Sequence, residues 1–155
     1  MARPVGSSAS TVGINGLKVF RDKLYWTNSG ATTIYAMDIT PDGFPLSGRV
    51  ETVVKLDAAF LDDFAVDEKR EILWVATNSD NRLFAVDLRS GKAVVAAGGV
   101  EQLTLAGDTA AAFGRTERDE GVLYVVTCGG LRQKICGISE GGKVVAVDTK
   151  GFRFS

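Results

Sequence analysis

The chain alternates short apolar runs with polar turns, and its apolar positions recur mostly at every second residue. A period of two marks strands, whereas helices repeat at three to four residues. Ile14-Asn15-Gly16-Leu17-Lys18-Val19-Phe20 opens an alternating strand, Arg21-Asp22-Lys23 turns, and Leu24-Tyr25-Trp26-Thr27-Asn28 is a second strand. A third strand is expected over 33–38, Pro41-Asp42-Gly43 is a strong turn signal, and a fourth strand is expected over 50–54. A second unit opens at Asp62, with strands predicted at 63–66, 72–76, 83–87 and 93–97. A third opens at Thr109, with strands at 110–113, 122–127, 143–148 and a short one at 152–154. The stretch 100–112 comes nearest to a helical pattern, but Gly107 and its β-branched content favour a loop and a strand.

The units repeat. Asn15, Asp62 and Thr109 stand 47 residues apart. Ile34-Tyr35-Ala36-Met37-Asp38 matches Leu83-Phe84-Ala85-Val86-Asp87 and Val144-Val145-Ala146-Val147-Asp148, and Thr27-Asn28-Ser29 matches Thr77-Asn78-Ser79. Three four-stranded antiparallel meanders at this period predict an all-β fold of β-propeller blades, half of a six-bladed ring. The expected division is a loose lead-in over 1–12 and blades over 13–58, 59–104 and 105–155. Blades are covered on both faces, so strands such as Leu73-Trp74-Val75-Ala76 are apolar on both sides. Tyr25, Trp26, Trp74, Phe84 and Tyr124 are expected between blades, and the small residues 110–112 on an innermost strand. Propellers close with roughly 4–8 blades, and three leave two broad apolar faces open. Either a second copy of the chain completes the ring as a homodimer, which is the favoured expectation, or the chain is a half-propeller lacking its other half.

Composition narrows the chemistry. The 155 residues carry a formal net charge of −1 and no basic cluster, against a nucleic-acid or anionic-membrane surface. The N-terminus lacks the apolar core of a signal peptide, so a cytoplasmic location is expected, or a secreted one if the N-terminus is truncated. Cys128 and Cys136 are either two free thiols or a small loop-closing disulfide. Histidine is absent, which removes Ser-His-Asp and Cys-His catalysis and any histidine-ligated metal.

Residues at the start of successive inner strands face a common channel. Asn15, Asp62 and Thr109 all present oxygen there, which suits a hard cation such as Ca²⁺ or Mg²⁺, or else caps turns. Lys18, Arg21 and Arg132 read as solvated surface charges, and the 128–142 excursion as either a lid or plain ornament.

Ile14-Asn15-Gly16-Leu17 followed by Leu24-Tyr25-Trp26-Thr27-Asn28-Ser29 resembles the Asn-Gly-Leu blade of the gluconolactonase/regucalcin (senescence marker protein) family. Leu61-Asp62-Asp63-Phe64-Ala65-Val66-Asp67 with Leu73-Trp74-Val75-Ala76 resembles the next blade, usually Pro-Asp-Gly-x-x-x-Asp then Leu-Trp-Val-Ala. Thr109-Ala110-Ala111-Ala112-Phe113-Gly114 with Leu123-Tyr124-Val125-Val126-Thr127 resembles the blade after that, and the fit is closest to fungal members. The resemblance implies a six-bladed propeller that hydrolyses lactones and esters with one divalent cation in its channel, Ca²⁺ first, with Zn²⁺, Mn²⁺ or Mg²⁺ as alternatives. It implies Asn15 and Asp62 as metal ligands and Asp62 as general base; Thr109 is a weaker candidate for a substrate hydrogen bond, with a satisfied turn hydroxyl the favoured reading. Asp63 stands where the family usually has Gly, and the family's other two ligands lie in blades this sequence does not contain. The competing expectation is a non-catalytic half-propeller that binds a small molecule or a partner.

Overall fold

The computed structural model describes residues 12–131 and 134–154, so the expected lead-in lies outside it apart from Val12, as does Arg132. Among the described residues eleven strands form three antiparallel sheets. The first is β1 (Ile14–Phe20), β2 (Lys23–Asn28), β3 (Thr33–Asp38) and β4 (Glu51–Lys55), paired in that order. The second is β5 (Phe64–Asp67), β6 (Ile72–Ala76), β7 (Arg82–Asp87) and β8 (Ala93–Gly98). The third is β9 (Asp108–Phe113), β10 (Val122–Thr127) and β11 (Val144–Asp148). Sequential meanders stacked face to face, with β5 beside both β1 and β9, are propeller blades. No helix among the described residues is long and apolar enough to cross a membrane.

Each junction between sheets has its own apolar core. Tyr25, Ile34 and Ala36 of the first sheet meet Phe64, Leu73, Val75 and Phe84 of the second. Ile72, Trp74, Leu83 and Ala85 on the opposite face of the second sheet meet Ala111, Leu123 and Val125 of the third. The middle sheet is thus covered on both sides, and β6 is buried along its whole length. This is why its strands read as continuous apolar runs rather than alternating ones.

Four details differ from the sequence reading. Among the described residues the third sheet has three strands: 152–154 forms none. A turn closed by the Phe152 N–H on the Thr149 carbonyl (3.1 Å) folds this segment back. The Phe152 ring lies edge-on to Trp74 at 5.0 Å, and Phe154 lies edge-on to Phe152 at 5.2 Å. Burial of two rings over the Trp74 core takes the place of a fourth strand. Second, β9 starts at Asp108 rather than 110. Third, Trp26 pairs with Leu17 and Tyr35 as Val75 pairs with Phe64 and Phe84. Asn28 therefore aligns with Thr77, one residue off the apparent Thr-Asn-Ser match. The residues after β6 form a 3₁₀ turn, Asn78–Asp80, where the sequence indicated only a polar turn. Cys128 and Cys136 are both free thiols.

Trp74 is 1% exposed and touches Phe113 and Phe152 by ring edges. Trp74→Ala is expected to cost about 3–5 kcal/mol through the cavity it leaves between two blades. Urea denaturation followed by far-ultraviolet circular dichroism reads this directly, and Trp74→Phe should recover more than half of the loss.

Candidate functional site

Blade one and blade two are joined at the heads of their inner strands by polar groups. The Thr27 hydroxyl accepts the Gly16 N–H (2.9 Å) and donates to the Asp62 carbonyl (2.8 Å). The Ser29 hydroxyl donates to the Leu61 carbonyl (2.5 Å) and accepts from Asn15 Nδ2 (3.2 Å). The backbones approach so closely that a Cβ on Gly16 would stand 2.7 Å from the Asp63 Cα. Glycine is required there by the approach of a neighbouring chain segment.

This zipper brings two of the sequence candidates together. Asn15 Nδ2 donates to Asp62 Oδ1 at 3.0 Å. The other Asp62 oxygen accepts from Asn78 Nδ2, also at 3.0 Å. A carboxylate thus sits between two carboxamides. Asn15 spends its amide hydrogens on Asp62 and Ser29, which leaves its carbonyl oxygen to meet a ligand. Asn78 gives one amide hydrogen to Asp62 and retains a second.

Asn78 was not among the sequence candidates. It is 6% exposed and adopts a left-handed φ of 51°, a conformation Asn tolerates better than most residues. Its turn is fixed on two sides. The Thr77 hydroxyl donates to the Arg82 carbonyl (2.7 Å), and Asp80 Oδ2 accepts the Ala59 N–H (2.6 Å). The tract Asn78-Ser79-Asp80-Asn81 marked a turn, but nothing in its spacing marked which amide faces Asp62.

Asp108 was missed as well, because it lies one residue before the periodic position. It is fully buried, and its Oδ2 accepts the Thr77 N–H at 3.1 Å while Oδ1 has no hydrogen-bond partner. Burial pushes its carboxyl up to about 8, against backbone N–H groups of Thr77 and Asn78 that pull it down, with the Asp62 charge adding to the rise. Asp108 supports the turn that presents Asn78.

The remaining candidates fall elsewhere. Thr109 does not join the cluster: its hydroxyl donates to the Val126 carbonyl of its own blade at 3.3 Å. Lys18, read as a solvated charge, pairs with Asp63 Oδ1 at 2.6 Å and lies 5.3 Å from the Phe64 ring centre. The additional carboxylate beside Asp62 is therefore matched by a cation. Arg21 is likewise engaged, with Glu71, which Arg89 also contacts. Below the cluster, an open cleft of about 340 Å³ runs along the inner strands, lined by Lys18, Val66, Ala111, Phe113 and Arg115 among others.

The donors suited to a hard cation are the Asn15 carbonyl oxygen and the Asp62 carboxylate. Among the described residues no three acidic or cysteine side chains gather where they could hold a metal ion. A hard cation takes six or more oxygens, so the described residues do not by themselves complete a site for a resident ion.

No family model matches the chain. The proposed hetero-Diels-Alderase asR5 of Sarocladium schorii is 36% identical over 92% of this chain and 38% of its own length. A proposed hetero-Diels-Alderase of a Phoma species is 39% identical over 74% of this chain and 32% of its own length. The chain spans about a third of the length of these curated relatives. Among solved structures, a luciferin-regenerating enzyme superposes with a TM-score of 0.66 at 20% identity, over 92% of this chain and 47% of that one. The calcium-binding protein regucalcin of Agrobacterium tumefaciens gives 0.58 at 18% identity, over 74% of this chain and 37% of that one. A gluconolactonase of Xanthomonas campestris gives 0.54 at 16% identity, over 76% of this chain and 36% of that one. At these identities the likeness establishes the propeller fold.

Asp108 also sets a pH dependence. Its folded-state value lies above the usual 3.8, so the folded chain holds a proton that the unfolded chain releases between about 4 and 8. Stability should fall as pH rises through that window and level off above it. Urea midpoints at pH 5 and pH 8.5 measure the drop, and Asp108→Asn, which cannot ionise, should shrink it.

Proposed function

We propose that the chain supplies three blades of a channel enzyme catalysing a hetero-[4+2] cycloaddition, with the Asn15–Asp62–Asn78 cluster as the polar end of its cleft. The observation that carries this reading is the similarity, at 36% and 39% identity, to two proposed hetero-Diels-Alderases. The chemistry is compatible with the residues present. Such a reaction joins a four-atom conjugated component to a two-atom component, one of them bearing a heteroatom. Two σ bonds form, π bonds are consumed, and every atom of both reactants stays in the product. No water attacks and no proton need be transferred, so the absence of histidine and the single carboxylate of the cluster are compatible with this reaction.

What the protein must supply is orientation and polarisation. The walls of the cleft hold two apolar reactants in a reactive approach, replacing a bimolecular encounter by a bound one. The second amide hydrogen of Asn78 donates to the heteroatom and stabilises the charge that builds on it in the transition state. Asp62 is a positioning residue: it fixes both carboxamides, one through each oxygen. Asp108 fixes the backbone of the Asn78 turn.

A second reading, hydrolysis of lactones or esters with a divalent cation, is favoured by the 3.0 Å contact of Asn15 with Asp62 that the family resemblance implies as ligands. It requires donors beyond those the described residues supply. A non-catalytic binding module is the remaining alternative.

The assay pairs an α,β-unsaturated ketone as heterodiene with an electron-rich vinyl ether. The expected result is a dihydropyran formed above the background rate with one enantiomer in excess. Asn78→Ala should slow it roughly tenfold, about 1.4 kcal/mol of transition-state stabilisation. A racemic product at the background rate, alongside opening of γ- or δ-lactones that depends on added Ca²⁺ or Mn²⁺ and is lost in Asp62→Ala, would favour the hydrolase instead.

A further inference from the structure

The junction between the first two blades carries a second polar assembly at its other end. The Asn15–Asp62–Asn78 cluster stands where β1 and β5 begin and β6 ends. The β1–β2 turn, the end of β3, the β5–β6 turn and the residues after β7 gather at the opposite end. Between them lies a pocket of about 380 Å³, lined by Phe20, Tyr25 and Leu88 on its apolar side and by Arg21, Glu71 and Arg89 among its charged groups. That volume falls within the roughly 300–1,000 Å³ usual for small-ligand sites. Both walls belong to blades that the chain itself contains, so the pocket does not depend on what meets either end of the stack.

Glu71 organises the charged side. Its side chain is 11% exposed, and it takes Arg21 Nη2 on one carboxylate oxygen and Arg89 Nε on the other. The two arginines come from different blades, and Arg21 also lies over the Phe20 ring at 5.0 Å from its centre. A guanidinium has five N–H donors, and the remaining ones of Arg21 and Arg89 have no bond among the described residues. Tyr25 is 8% exposed, lines the pocket, and its hydroxyl has no hydrogen-bond partner among the described residues. Burial pushes this phenol above its ordinary value, and the Lys23, Glu51, Arg21 and Glu71 charges also act on it. Tyr25 therefore keeps its proton near neutral pH and is a donor. A polar group on so deeply buried a side chain is ordinarily met by a partner. Lys23 is already engaged, with Asp38 and Glu51 at 2.8 Å each. Three cations, Arg21, Lys23 and Arg89, and three carboxylates, Asp22, Asp38 and Glu71, line the pocket, so its own charge sums to zero.

We infer that this pocket binds a small organic monocarboxylate with a ring-sized apolar body. Both guanidiniums already contact one carboxylate, that of Glu71, so they stand close enough together to meet a second. Paired N–H groups of a guanidinium match the two oxygens of a carboxylate. The Tyr25 hydroxyl donates a further bond, and the body of the ligand lies against Phe20 and Leu88. The zero net charge of the lining favours one negative charge over the roughly −1.5 to −2 of a phosphate monoester, whose second charge meets Asp22 and Asp38. The bound carboxylate bridges the first blade to the second, and so ties together the junction whose far end assembles the cluster. The site is separate from that cluster and stands independently of the reaction proposed for it.

Benzoate is the probe. Titrated into the isotope-labelled chain at low ionic strength, it should shift the backbone amide signals of Phe20, Tyr25, Leu88 and Arg89 saturably. Benzamide, of the same size without the charge, and phenyl phosphate, with a second charge, should each bind roughly tenfold more weakly. Arg21→Gln and Arg89→Gln should each weaken benzoate binding roughly tenfold, and Tyr25→Phe, which keeps the ring in the core, roughly threefold. Both arginine side chains are largely exposed, so these variants keep the fold, and unchanged signals elsewhere in the spectrum verify it. The inference is overturned by an absence of saturable shifts, or by shifts centred instead on the exposed Leu17, Val19 or Tyr124. Benzamide binding as well as benzoate, phenyl phosphate binding more tightly, or an affinity indifferent to both arginine substitutions would overturn it equally. None of these readouts involves the cluster, so failure of the cycloaddition assay leaves this result standing, and the reverse holds as well.

Discussion

A sheet that is apolar on both faces must be covered on both, and this constraint shapes everything else in the chain. It makes the middle blade the best buried part of the molecule, with β6 enclosed throughout. It sets aromatic and branched residues at the junctions, where Trp74 alone bridges Phe113 and Phe152. It also recruits the C-terminal phenylalanines: Phe152 covers Trp74 instead of extending the third sheet. Apolar area of this kind is the dominant favourable contribution to folding, but it is non-directional and cannot by itself set the register of one blade on another.

Direction comes from the polar zipper at the heads of the inner strands. Gly16 permits backbone contact with Asp63, and Thr27 and Ser29 bond to the carbonyls of Asp62 and Leu61 across the junction. The same contacts bring Asn15 to Asp62, and the turn held by Asp108 and Asp80 brings Asn78. The candidate site is therefore a by-product of the way two blades are locked together. A chain that folds correctly assembles its carboxamide–carboxylate–carboxamide cluster without a separate device, and a substitution that loosens the junction disturbs the cluster.

Much of the fold is legible in the sequence, since period-two alternation and the 47-residue spacing of Asn15, Asp62 and Thr109 identify the blades. The spacing also pairs Asn15 with Asp62 correctly, because the inner strands stack in register. The spacing does not bring Thr109 to that pair: its hydroxyl bonds a carbonyl in its own blade, in line with the satisfied-hydroxyl reading. It fails for Asn78, whose approach to Asp62 depends on a left-handed turn, and for Asp108, which is fully buried and bonded to the Thr77 N–H of the neighbouring blade. The terminal segment 152–154 reads as a strand because a Phe-x-Phe pattern alternates like one whether it pairs with a neighbour or caps a core. Periodicity reports which residues seek burial; it does not report what buries them.

The central claim is that the contacts locking the first two blades together also assemble the carboxamide–carboxylate–carboxamide cluster. The side-chain amide resonances of Asn15 and Asn78 in two-dimensional NMR spectra address it most directly. The account predicts that Thr27→Val, which removes the hydroxyl bond to the Asp62 carbonyl and touches neither carboxamide, shifts both pairs of resonances. Resonances unchanged in that variant would contradict it.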